Sequence, residues 1–388
     1  MANNNQHTKP NVPPLRFPGF SDEWETYSIN EISNIVKGSG ISKEQLSKEG
    51  EECILYGELY TKYKSEIIDE VFSKTDINST KLTRSQHNDV IIPCSGESAE
   101  DIATARCVTR DGILLGGDLN IIRFNGQNGA FMSYQLNGKR KYDIARVTQG
   151  VSVVHLYPDH LKSVKVSTPS LKEQNRIVKL LSLIDKRIST QNKIIEDLKK
   201  LKSAIGRIIF CKATLIKIQN LCEVIMGQSP ASSSYNNNND GLPLIQGNLD
   251  IFDGATISRI YTNEPIKISL PNDLILTVRA PVGIVAENKM KVCIGRGVCA
   301  LRNKSTIPTM YIYYALDYFS YKWKQIEQGS TFTSINGDDV KKFAIPLVNN
   351  AEYLCAFLSK IDMLIKCSIN LHSNYIKQKQ YLLSQMFI

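Results

Sequence analysis

The sequence predicts an α+β fold in which two related mixed α/β modules are separated by two long helices packed as an antiparallel coiled coil. Three observations predict it. A collinear internal repeat runs through the 388 residues, each copy contains short apolar segments with turn punctuation, and each copy closes on a heptad-spaced apolar seam.

The repeat is read from matched residues. Gln149-Gly150 recurs as Gln328-Gly329 at an offset of 179 residues, which also maps Gly116 onto Gly295, Arg123 onto Arg302, Tyr134 onto Tyr313 and Leu156 onto Ile335. Nearer the start, Ile29, Ile32, Val36 and Gly38 match Ile218, Leu221, Ile225 and Gly227 at an offset of 189. Downstream, Leu181, Ile184, Asp185 and Ile188 match Leu358, Ile361, Asp362 and Ile365 at an offset of 177. A net shortening of 12 residues in the second copy is readily absorbed in loops.

In chain order, residues 1–14 form a polar, flexible N-terminus and residues 15–165 the first module. Asp89-Val-Ile-Ile reads as a short buried strand, Ile113 to Phe124 as a glycine-broken hairpin, and Phe131 to Val147 as a helix. Residues 166–212 are the first spacer helix. It opens after Pro169 on the capping-box pattern Ser170-Leu-Lys-Glu173, and its seam is Leu181, Ile184, Ile188, Ile195, Leu198, Ile205 and Ile209, interrupted by Gln191 and Lys202. Residues 213–346 are the second module, with a flexible loop at Ser232 to Asp240, a buried strand at Asp273-Leu-Ile-Leu and a helix at Thr309 to Gln328. Residues 347–388 are the second spacer helix, with Leu358, Ile361, Ile365, Tyr375, Leu382 and Met386 on its seam. Lys202 and Lys379 fall at equivalent seam positions. Neither apolar stripe is stable unpaired, and two helices of about 40 residues packed on each other give a rod of roughly 60 Å. Two independent domains, each with its helix folded back on it, remain the other reading of the same pattern.

Composition narrows the function. With 42% hydrophobic and 22% charged residues, disordered and fibrous classes are excluded. The net charge of +9 is concentrated: residues 166–212 carry 11 basic and 4 acidic groups, whereas residues 1–165 carry 19 and 21. A basic helix of this kind is either the solvated flank of a coiled coil or a surface beside a polyanion. Nine scattered cysteines without a Cys-x-x-Cys pair read as reduced thiols. No apolar stretch approaches a membrane span, so a soluble, cytoplasmic chain is expected.

Catalytic patterns are missing from the sequence. There is no Gly-x4-Gly-Lys-Ser/Thr, no Gly-x-Gly-x-x-Gly after a strand, no His-Glu-x-x-His, and no Asn/Asp-Pro-Pro-Tyr/Phe of the amino-methyltransferases. No metal site is expected. Loops suited to nucleic acid remain. Ser95, Gly96 and Glu97 follow a strand, and the corresponding stretch of the second copy, Thr277 to Gly283, offers Arg279 and Gly283. Arginine can bond guanine O6 and N7 together, and glutamate can accept from cytosine N4. Ser152 in one copy, and Ser330, Thr331 and Thr333 in the other, follow the last helix of each module and could hold phosphate; Arg84 is a further candidate DNA contact. Each of these is equally readable as an ordinary polar loop. Lys139-Arg140-Lys141 reads more readily as a solvated helix face than as a phosphate clamp.

The opening Val12-Pro-Pro-Leu15-Arg16-Phe17-Pro18-Gly19-Phe20 with Glu23-Trp24, the helix start Pro169-Ser-Leu-Lys-Glu173-Gln174 with Ile177, Ile184 and Asp185, and the duplicated layout together resemble the specificity subunits of type I restriction–modification enzymes. The resemblance covers nearly the whole chain. It implies two target-recognition domains, each reading one half of a bipartite double-stranded DNA site, and no catalysis by this chain. It also implies docking of two methyltransferase subunits and of restriction/translocase subunits, with Glu173, Gln174, Ile177 and Glu352 as subunit-binding residues. S-adenosylmethionine, ATP and Mg²⁺ would belong to those partners. A scaffold or inhibitory adaptor that binds the partners without reading DNA is the alternative. The second helix start departs from the pattern: it reads Pro346-Leu-Val-Asn-Asn-Ala-Glu352-Tyr353, with Tyr353 where the first copy has Gln174, so equal docking of both partners is not implied.

Overall fold

The computed structural model describes residues 11–77, 81–150, 153–210, 213–327 and 333–388. The chain divides into two compact units, and the division cuts both long helices. Unit 1 comprises residues 1–192 and 370–388, and unit 2 residues 193–369.

In unit 1 a five-stranded sheet runs in the order Ser33–Lys37, Leu119–Phe124, Asp89–Pro93, Arg106–Val108 and Ile67–Ile68. Its pairs are antiparallel except the last. The apolar run over Asp89–Pro93 is buried on both faces, as a central strand of uninterrupted hydrophobic residues requires. A four-stranded sheet orders Leu114–Leu115, Glu51–Ile54, Ser73–Thr75 and Leu46–Ser47. Unit 2 repeats this plan with a six-stranded and a five-stranded sheet. In both units an antiparallel two-stranded ribbon joins the module's first strand to the strand leading into its long helix. Glu25–Ser28 pairs with Lys165–Thr168, and Thr214–Lys217 pairs with Ala344–Leu347.

The repeated glycines have a steric cause. A Cβ on Gly38 would lie 2.0 Å from the Gly116 carbonyl oxygen, and one on Gly227 would lie 2.1 Å from that of Gly295. Both are backbone crossings that admit no side chain.

The long helices are Leu171–Phe210 and Ala351–Gln385, so each predicted spacer gives up residues at its start to the ribbon strand. The seam is buried or half-buried throughout, from Leu181 to Ile209 and from Leu358 to Met386. Within unit 1, Lys379 meets Asp185 and Arg187 lies over the Tyr375 ring, so the two helix segments run antiparallel there. Each helix ends in an aromatic plug at matched positions. Phe387 packs with Trp24 and Phe131 in the core of unit 1, and Phe210 packs with Tyr311, Tyr318 and Phe319 in that of unit 2.

Four local expectations are corrected. Ile113 to Phe124 is not a hairpin, because Leu114–Leu115 pairs in the four-stranded sheet and Leu119–Phe124 in the five-stranded one. The Gly116-Gly117 step carries the chain between sheets. Phe131 to Val147 breaks at Gly138 into helices Gly129–Asn137 and Lys141–Arg146, and Thr309 to Gln328 ends as an α-helix at Tyr318. The Ser232 to Asp240 segment is partly built in: the Ser234 hydroxyl meets that of Thr262 at 2.8 Å, and Tyr235 and Asn236 pair with Thr262 and Tyr261.

Candidate nucleic-acid interface

Each unit presents a cleft at the same place in the repeated fold, where the turn between two central strands meets the loop after a third. Matching backbone bonds establish the correspondence. In unit 1 the Cys94 N–H donates to the Asp118 carbonyl (2.7 Å) and the Leu156 N–H to that of Cys94 (2.8 Å). In unit 2 the Val278 N–H donates to the Gly297 carbonyl (2.9 Å) and the Ile335 N–H to that of Val278 (3.0 Å). Ser95 therefore corresponds to Arg279, Gly117 to Arg296 and Asp118 to Gly297.

The unit 1 cleft, about 940 Å³, is bounded by Ile41, Lys43, Leu46, Tyr56, Tyr60 and Asp118 among others. Its deepest charge, Glu58, is fully engaged. The carboxylate accepts from the Leu55 N–H (3.0 Å), from Lys62 Nζ (2.6 Å) and from the Ser73 hydroxyl. Ser95 and Gly96 form a short strand against Val154–His155, and the Ser95 hydroxyl donates to Asp118 at 3.4 Å. Glu97 is exposed beside them. The accessible side chains here are hydroxyls, aromatics, the carboxylates of Glu97 and Asp118, and the lysines Lys43 and Lys62.

The unit 2 cleft is smaller, about 480 Å³, and more polar, lined by Ser229, Ser232, Gln246, Arg279 and Arg296 among others. Arg279 bridges to Ser334, and the neighbouring Ala280 N–H donates to the Thr333 carbonyl at 3.0 Å. Among the described residues, neither the Arg279 nor the Arg296 guanidinium has an ion-pair or hydrogen-bond partner. By contrast, Arg302 is paired with Asp273 (2.9 Å) and Arg259 with Asp250 (3.7 Å).

The sequence-derived residues divide accordingly. Ser95, Gly96, Glu97 and Arg279 come to these cleft rims, and Thr333 to the backbone behind Arg279. Gly283 is corrected. It is buried at φ +88°, and a Cβ there would lie 2.2 Å from the Trp323 indole, so it seats the module core rather than a ligand. Arg84 forms an ion pair with Glu51 (2.7 Å) and donates to the Gly112 carbonyl (2.8 Å), so it braces the sheet edge. Ser152, Ser330 and Thr331 lie outside the described residues.

The subunit-binding set is also redrawn. Glu173 is buried and holds Arg16 through two bonds of 2.7 and 2.8 Å, which raise the Arg16 pKa. The Gln174 amide accepts from the Asn128 N–H (2.9 Å) and donates to the Pro169 carbonyl (2.8 Å), and Ile177 lies in the core. These three residues anchor the helix start to the module and leave no side chain for a partner. Glu352 is exposed on the first turn of the second helix. Arg140 is likewise drawn into unit 1, reaching Asp143, Ser167 and the Ile388 carbonyl.

Each cleft-bearing module is locked to its helix pair by a lysine, an aspartate and a tyrosine. In unit 1, Lys379 Nζ is 2.6 Å from Asp185 and also pairs with Glu66, Tyr134 donates to Asp185 at 2.6 Å, and the ammonium lies 5.6 Å from the Tyr134 ring centre. Burial, then the Glu66 charge, raises the Asp185 pKa. Burial opposes the Lys379 ammonium, but Glu66 and Asp185 outweigh it and raise its pKa. In unit 2, Lys202 meets Asp362 at 2.7 Å and lies 5.1 Å from the Tyr314 ring centre, so Tyr314, rather than the Tyr313 that the 179-residue offset pairs with Tyr134, takes the tyrosine's place.

Two related α/β modules, each joined to long helices and carrying unlike clefts at matched positions, define a duplicated chain whose two halves present different surfaces at the same place. The chain belongs to the type I restriction modification DNA specificity domain family, whose model matches residues 21–200 and 213–371. It is 33% identical over 230 residues to a Methanocaldococcus jannaschii protein named as the MjaX type I restriction enzyme specificity subunit (53% of this chain, 54% of the relative). It is 27% identical over 199 residues to the MjaVIII specificity subunit of the same organism (51% of this chain, 44% of the relative). The matches thus span about half the length of these relatives. The fold is shared with the type I S subunit from M. genitalium (TM-score 0.66, 17% identity, 97% and 99% of the two chains). It is also shared with a chain of a solved type I R-M system (TM-score 0.60, 20% identity, 97% and 99%). Among the described residues no helix is long and apolar enough to cross a membrane.

Proposed function

We propose that this chain is a non-catalytic DNA sequence-specificity subunit that reads a bipartite, asymmetric double-stranded target and positions two methyltransferase subunits and restriction/translocase subunits on it. The observation that carries the reading is the pair of corresponding clefts with unlike chemistry. One rim bears Ser95, Glu97 and Asp118, the other Arg279 and Arg296. A duplicated scaffold presenting different donors and acceptors at one position suits two different half-sites, because hydrogen-bond patterns on base edges distinguish sequence. Within each unit a lysine–aspartate contact holds the face on that unit's own helix segments. DNA translocation and cleavage, methyl transfer and ATP hydrolysis would be supplied by the partners, which would hold the S-adenosylmethionine, ATP and Mg²⁺.

The test is co-expression with the partner subunits followed by genome-wide mapping of methylated adenines. The expected result is one bipartite motif with a fixed gap and unlike halves. A complex that shifts DNA only with the salt-dependent, sequence-blind affinity of phosphate binding would instead make the chain a scaffold.

A further inference from the structure

We propose that Arg296 is a base-reading residue of the second module and that the half-site read there contains a guanine contacted by it. This rests on the DNA-specificity reading above and adds a residue and a base to it.

Arg296 stands on the turn between strands Val292–Ile294 and Val298–Asn303, and its backbone is clamped on several sides. The Gly295 N–H donates to the Ile245 carbonyl (2.8 Å), the Arg296 N–H to the Ser229 hydroxyl (3.1 Å), and the Val278 N–H to the Gly297 carbonyl (2.9 Å). A Cβ on Gly297 would lie 2.1 Å from the Gln246 carbonyl oxygen. The flanking glycines let the turn press onto its neighbours, and Arg296 alone on it carries a long exposed side chain. A side chain on so fixed a stem loses only its own rotamer freedom on binding. The Val278–Gly297 bond also ties this turn to the loop carrying Arg279, so the two guanidinium groups share one cleft and one frame.

A guanidinium has five donors and no acceptor, and its fork matches the paired acceptors O6 and N7 that guanine shows in the major groove. Within the cleft no carboxylate competes for it among the described residues. Gln246 and the Ser229 and Ser232 hydroxyls border it, groups able to complete a polar base contact. The matched position of the first module is Gly117, with no side chain, followed by the acceptor Asp118. The first module therefore lacks this guanine-reading group at the same place, and the two half-sites should differ there.

The test uses the complex assembled with its partners and compares wild type with Arg296→Gln and Arg296→Lys. The expected result is that the second half of the methylated motif relaxes or changes at one G·C pair in both variants. Discrimination at that pair should fall on the order of ten- to a hundred-fold, with the first half unchanged. Replacing that guanine by 7-deazaguanine, which lacks the N7 acceptor, should weaken wild-type binding and leave Arg296→Gln binding unaffected. Arg296 is exposed, so all three proteins should unfold at the same temperature. An unchanged motif, or full specificity in Arg296→Lys with a uniform affinity loss in Arg296→Gln, would overturn the proposal by making Arg296 a phosphate contact. If the wild type showed no bipartite motif at all, the underlying reading would fail instead.

Discussion

In unit 1 the seam lysine Lys379 is held between Asp185 and Glu66, with side-chain exposures of 14%, 8% and 8%. In unit 2 its counterpart Lys202 meets Asp362 at exposures of 25% and 37%. The same lysine–aspartate–tyrosine lock thus sits dry in one half of the molecule and wetter in the other. The clefts differ in the opposite sense, with the Glu58 carboxylate engaged in unit 1 and two arginines without a partner among the described residues in unit 2. Duplication preserved the backbone bonds that frame each cleft, while the side chains around them and in the locks diverged in burial and charge. Equivalent positions in the repeat need not carry equivalent energy.

Substituting the two lysines should expose that difference most strongly. Lys379→Met leaves two buried carboxylates without their cation and is expected to cost about 3–5 kcal/mol. Chemical denaturation followed by a probe in each unit would measure it, and a loss equal to that of Lys202→Met would break the comparison. The deficit should also depend on pH. The Asp185 pKa is raised in the fold, so ionising it costs stability as pH rises from the ordinary aspartate range through its folded value. Lys379 offsets that cost, so the deficit should be smallest where Asp185 is protonated and should grow as pH rises through that window. A pH-independent deficit would contradict the assignment. At the alkaline end the raised Lys379 pKa makes its own contribution complete below the ordinary lysine range and lost as pH rises through the folded value.

Next in size, Gly38→Ala and Gly227→Ala should each cost about 1–3 kcal/mol, because both crossings are equally tight. Matching thermal shifts in the two variants would show that the steric frame, unlike the ion cluster, is conserved in energy. Arg279→Ala should cost roughly 1–3 kcal/mol of discrimination in the second half-site if it meets a base edge. A uniform loss across sequences would demote it to a phosphate contact. Lys202→Met should be mildest, about 0–1 kcal/mol, as expected for a solvent-screened pair.

Much of this frame was legible in the sequence because it is written in spacing. The heptad seam, the matched lysines Lys202 and Lys379, and the glycine pairs Gly38 with Gly227 and Gly116 with Gly295 all emerged from offsets alone. Their partners did not, since Glu66 is more than a hundred residues from Asp185 and nothing local links them. The hairpin expectation failed at Gly116-Gly117 because two apolar runs around glycines cannot say whether they pair with each other or with different sheets. The resemblance implies a docking role for Glu173 and Gln174, whereas their polarity is spent on Arg16, Asn128 and Pro169. Arg296 went unnoticed, although an arginine bracketed by Gly295 and Gly297 between two apolar strands, aligned with Gly117 by the repeat, was the available signal.

In the proposed function each module reads its own half of one DNA target. The most direct measurement of this is to replace residues 15–165 with the corresponding module of a relative of different specificity, assemble the complex, and map the methylated motif. The expected motif has a new first half joined to an unchanged second half with the gap preserved. A motif altered in both halves, or in neither, would contradict it.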